Sequence, residues 1–94
     1  MTLPDIAARL QTGLDRRPLE NSIKFDCGTD GAITLNGTVA ELADRPADCT
    51  IGISVGNLGK LISGKLNPMT AVATRKLKVS GDMAVALKLG KLLG

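Results

Sequence analysis

The sequence predicts an α/β domain of the α+β kind, a sheet with helices over one face, and three observations carry that expectation. Four segments, starting at Ser22, Ala32, Cys49 and Lys76, alternate apolar and polar residues with the two-residue period of half-buried strands. Others, such as Ile6, Leu10 and Leu14 or Val55, Leu58 and Ile62, repeat apolar residues three or four apart, the spacing of a helix face. The segments run α, β, β, β, α, α, β, α, and 94 residues leave room for one domain, 1–94.

Taken in order, Thr2 is placed to cap the first helix, with Pro4 in its first turn and Asp5 near its positive end. Arg16 and Arg17 suit its last turn, and Pro18 closes it. Ile23, Phe25 and Cys27 form the apolar phase of the first strand, and Ile33 and Leu35 that of the second. Gly28-Thr29-Asp30-Gly31 joins them, with Asp-Gly expected to supply the positive backbone angles of a tight hairpin. Gly37 to Arg45 reads as a polar connection, and Cys49, Ile51, Ile53 and Val55 as the inward side of a third strand. The Val55, Leu58, Ile62 helix is weakened by Gly56 and Gly59 and ends at Gly64. Asn67 caps the next helix, with Pro68 first and Met69, Val72 and Ala73 expected on its buried side.

Lys76 to Ser80 is the last strand, with Leu77 and Val79 inward. Gly81-Asp82 breaks it, and Asp82 is placed to cap a helix whose next eleven residues hold only two charges, Lys88 and Lys91. The apolar arc opposite those lysines centres on Ala86 and Leu93, with Met83, Leu89 and Gly90 at its flanks. Small residues at the centre and bulky ones around them suit either close packing or a cavity.

Composition narrows the chemistry. Hydrophobic residues make up 44% of the chain but aromatics only 1%, so the core is aliphatic around Phe25. The net charge of +3 conceals an acidic first half and a basic second half, at −2 over residues 1–46 and +5 over 47–94. A basic half that is also the apolar half suits an anionic amphiphile or an anionic membrane surface.

With no histidine, the commonest general base and the Ser-His-Asp arrangement are missing, so catalysis is not expected. Cys27 and Cys49 are too few for a zinc site and read as core thiols. No cofactor is expected. Gly56-x-x-Gly59-Lys60 and Gly64-Lys65 lack the spacing of a phosphate loop, and the stacking aromatics of single-strand nucleic-acid binders are missing. No apolar run is long enough to span a membrane and no leader pattern is visible, so a cytoplasmic protein is expected.

Three segments carry a resemblance. Ala47-Asp48-Cys49-Thr50-Ile51-Gly52-Ile53-Ser54, Ile62-Ser63-Gly64-Lys65-Leu66-Asn67-Pro68-Met69-Thr70-Ala71, and the stretch from Lys76-Leu77-Lys78-Val79-Ser80-Gly81-Asp82-Met83 to Leu89 resemble the sterol carrier protein 2 (SCP2) sterol-binding domain family in order and spacing. The resemblance implies a five-stranded, mostly antiparallel sheet with helices on one face enclosing an apolar tunnel. It also implies non-catalytic binding, and transfer, of a fatty acid, fatty acyl-CoA, phospholipid or sterol.

On that basis Ile62, Met69, Val72, Ala73, Leu77, Val79, Met83, Ala86 and Leu89 are expected along the tunnel, and Arg75, Lys76 and Lys78 near a head group. Two positions depart from the family pattern: Val72 and Ala73 stand where members often carry bulky aromatics, and Arg75 where they carry glycine. The expected partners are a lipid or fatty acyl ligand and, transiently, an anionic membrane, with the protein a monomer and no nucleic acid bound. The alternative is a ligand-free interaction or oligomerisation domain accessory to an enzyme.

Overall fold

A five-stranded sheet forms the frame of the computed structural model, which describes residues 2–82, 84 and 85. The elements are α1 (Leu3–Arg16), β1 (Ser22–Asp26), β2 (Ala32–Asn36), β3 (Val39–Glu41), β4 (Cys49–Ile53), α2 (Val55–Ile62), α3 (Pro68–Ala73) and β5 (Leu77–Gly81). The strand order is β3-β2-β1-β4-β5, and every pairing is antiparallel except β1 with β4. The mostly antiparallel sheet expected from the sequence is therefore present.

Register puts all the apolar phases on one side. Phe25 pairs with Ile33 and with Ile51, Ile51 pairs with Val79, and Ile53 pairs with Leu77. Helix α1 lies over this side with Ile6, Leu10 and Leu14 at 1% exposure or less. Removing three such side chains from water contributes about 1.5–3 kcal/mol each. Its start is fixed by a capping box: the Asp5 N–H donates to the Thr2 hydroxyl and the Thr2 N–H to the Asp5 carboxylate. These bonds hold the Asp5 carboxyl below its ordinary pKa.

Two sequence expectations change. The segment after Gly37 contains a strand: Gly37 and Thr38 make a two-residue hairpin loop, Asn36 pairs with Val39, and the positive φ of Gly37 suits such a turn. Three residues are too few for alternation to show. The turn between β1 and β2 is a 3-10 turn over Gly28–Asp30 in which Gly28 and Gly31, not Asp30, take the positive φ.

One cluster ties the sheet's lower end. The Ser22 N–H donates to the Asp48 carboxylate at 3.1 Å and the Asp48 N–H to the Ser22 hydroxyl at 2.9 Å, locking β1 to the approach of β4. The Asp48 carbonyl accepts the Asp82 N–H at 3.1 Å, which fixes the exit of β5. Gly81 lies so close that a Cβ there would meet the Asp48 carbonyl oxygen at 2.5 Å, and its φ is +93°. Gly81→Ala is therefore expected to lower stability by about 2–3 kcal/mol, read as an earlier urea midpoint with an unchanged slope. A midpoint equal to wild type would show that this crossing tolerates a side chain.

Candidate functional site

Those of the residues singled out from the sequence that are described lie on α2, α3 and β5 and at the junction of the last two. The Ser54 hydroxyl caps α2 by accepting from the Asn57 N–H, and the Asn67 carboxamide oxygen caps α3 by accepting from Met69 and Thr70. Both helices end in the same way. The Lys65 N–H donates to the Lys60 carbonyl and the Gly64 N–H to that of Leu61, while the Lys76 N–H donates to Ala71 and the Arg75 N–H to Val72. These are Schellman closures, in which the residue after the cap turns left-handed. Gly64 fills that place at α2 with φ +80°, and Arg75 fills it at α3 with φ +60°.

The candidate lining residues separate into three groups. Leu77 is buried, and Val79 and Ile62 pack half-buried against the core. Met69, Val72 and Ala73 correct the expectation of a buried side for α3, because Met69 is 75% and Val72 48% exposed and Ala73 is exposed too. Ala71, with no exposure, is the residue α3 turns inward, and at 100° per residue Met69 and Ala73 each lie about 160° from it. Met83, Ala86 and Leu89 fall outside the described residues. Asp82 takes the expected capping role, its carboxylate accepting the Ala84 N–H at 2.9 Å, and Val85 reaches the core at 2% exposure.

The three expected head-group cations also divide. Lys78 pairs with Gly52 on the sheet side opposite Leu77 and Val79, away from the core, which removes it from a ligand held on the core side. Arg75 and Lys76 are exposed between the end of α3 and the start of β5. A shallow cleft of about 260 Å³ lies along α2, lined by Val55, Gly56, Gly59, Lys60, Ser63 and Lys65. Lys60 and Lys65 bring two cations to a lining that is otherwise about evenly polar and apolar.

Both cysteines are free and buried. Burial raises the Cys27 thiol pKa, helped by the Asp26 and Asp30 carboxylates, and burial with Asp82 raises that of Cys49. Each is therefore a neutral thiol at neutral pH, suited to packing rather than attack. No group of three or more metal-ligating side chains gathers among the described residues, and no helix among them is long and apolar enough to cross a membrane.

A profile of the SCP-2 sterol transfer family matches residues 6–94. The chain belongs to that family. Sterol carrier protein 2 of Gallus gallus is 48% identical over 56 residues, 60% of this chain but 10% of that protein, so the match spans about a tenth of such curated relatives. Among solved structures, sterol carrier protein 2 of Aedes aegypti in complex with the C16 fatty acid palmitate superposes with TM-score 0.80 at 20% identity, covering 100% of this chain and 97% of that one. The palmitated SCP2-like 2 protein of the same mosquito gives 0.79 at 16% identity, covering 99% and 95%. At such identities the superpositions establish the fold, and the sheet and helices described above are that SCP2 fold.

Two measurements check this local picture. Arg75→Gly should raise stability by about 0.5–1 kcal/mol, since a left-handed residue with a Cβ costs more than the added chain entropy of glycine; a lower melting temperature would mean the Arg75 side chain holds the fold in place. Both thiols should react with a disulfide reagent only as fast as the protein opens, and at full rate in denaturant. Prompt reaction of either in the native protein would contradict its burial.

Proposed function

We propose that this domain binds a long-chain lipid or fatty acid without acting on it chemically, and carries it. Membership of the SCP-2 sterol transfer family over nearly the whole chain is the observation that supports this most. The relative solved with palmitate on the same fold points to a fatty acyl chain as the first ligand to test.

Uneven burial among the described residues supports a position for the ligand. Val79 stands beside Ile51 on the core side, yet Ile51 is 1% exposed and Val79 only half covered, as is Ile62. An acyl chain along Leu77, Val79 and Ile62 would complete their burial, and Met83, Ala86 and Leu89 remain the sequence-based candidates for its other side. Arg75 and Lys76 are the cations at hand for an anionic head group. The basic second half also favours transient contact with an anionic membrane.

A native mass spectrum of the purified protein, repeated with added palmitate, tests the reading. A retained or added fatty acid in one-to-one complex is expected. At a hundred times its dissociation constant the ligand should stabilise the fold by about 2.7 kcal/mol, or roughly 10–20 °C in melting temperature for a domain of this size. An unshifted melt with no complex in the spectrum would remove the carrier function.

A further inference from the structure

Helix α3 presents an unusual combination at the surface. Met69 and Val72, three positions apart and hence on one side of the helix, are 75% and 48% exposed. Residues 55–81 contain five cations, Lys60, Lys65, Arg75, Lys76 and Lys78, and no carboxylate. Arg75 ends α3 in a left-handed conformation that a glycine would adopt with less strain, as Gly64 does at the end of α2. The left-handed turn therefore sets a cation at the end of an exposed apolar turn.

We propose that this face of α3 docks the protein on a bilayer containing anionic lipid. Met69 and Val72 enter the interfacial layer, and Arg75 and Lys76 meet lipid phosphates. The surface combines the two attractions that hold a protein at an anionic interface: apolar side chains that leave water, and cations drawn to the negative surface potential. A second copy of the chain fits less well, because it would bring the same cation-rich, carboxylate-free stretch against itself. A nucleic acid would use the cations and leave Met69 and Val72 in water. The purpose of docking, loading and unloading a lipid, rests on the carrier function proposed above, but the docking itself is measured separately.

The test is co-sedimentation of the full chain with phosphatidylcholine vesicles, with and without phosphatidylserine. Wild type is expected to bind only the vesicles with phosphatidylserine, and less as salt rises. Met69→Ser with Val72→Ser should weaken that binding about tenfold or more. Arg75→Gly should weaken it about fivefold while melting no lower than wild type. Because the chain has no tryptophan, Met69→Trp supplies a reporter whose emission should shift blue on phosphatidylserine vesicles.

Equal binding by the double serine variant, or an unshifted tryptophan, would overturn the proposal. So would a dimer abolished by the serine substitutions together with indifference to vesicles, which would assign the face to a second copy. Palmitate binding without vesicles is measured in parallel. Protein that takes palmitate but ignores the vesicles overturns docking and leaves the carrier function standing, and protein that docks but takes no palmitate does the reverse.

Discussion

The parallel pairing of β1 with β4 is the constraint on which the rest of the molecule depends. Parallel neighbours cannot be joined by a tight turn, so the chain leaves β1, builds β2 and β3 on one side, and returns across the polar face of the sheet, over Thr34 and Lys24, before adding β4 and β5 on the other. The pairing brings Phe25 against Ile51 and Ile23 against Cys49, the centre of the core. Its register is held at the entry by the reciprocal Ser22–Asp48 bonds. A slip of one residue would turn Ile51 and Ile53 to the polar side of the sheet, where Lys24 and Thr50 now pair.

That topology leaves two edges, and the protein treats them differently. At β3 the Gln11 carboxamide on α1 donates to the Thr38 carbonyl at 2.6 Å and accepts the Ala40 N–H at 2.8 Å, so the edge backbone is bonded to a helix. The polar side near β3 is closed as well: the Thr34 hydroxyl donates to the Ala43 carbonyl, and Lys24 pairs with Asp44 at 2.7 Å. At the β5 edge α3 contributes Ala71 inward and turns its larger apolar residues out. The acidic half of the chain thus builds the β3 edge and the basic half the β5 edge.

The alternation of β1, β2, β4 and β5, the caps at Thr2 and Asn67 and the Leu3–Arg16 helix were legible because each rests on a local rule. What escaped depended on partners distant in sequence. Strand β3 is three residues long and held by Gln11, 29 positions before Ala40, although Asn36-Gly37 was a hairpin signal available in the sequence. For α3 the apolar residues Met69, Val72 and Ala73 suggested a buried side, but six residues offer too little periodicity to orient a helix, and the residue it buries is the smaller Ala71. Lys78 was grouped with Arg75 and Lys76 by proximity in sequence, whereas the period of a strand sends it to the other side.

The distribution of burial also bears on where a ligand fits. Beneath α1 the core is closed: Ile6, Leu10, Leu14, Ile23, Phe25, Ile33 and Leu35 are all at 1% exposure or less, and a void there would have to be opened against close packing. Toward β5 the same layer thins, from Ile51 at 1% and Ile53 at 5% to the half-covered Val79. An acyl chain gains most where apolar surface is still partly wet and the packing need not be broken. Among the described residues the β5 side is where Val79 stays partly exposed, and it is also the side where α3 carries its exposed Met69 and Val72 and its left-handed Arg75. The ligand position and the docking face proposed above thus both lie on the side of the sheet where α3 meets β5.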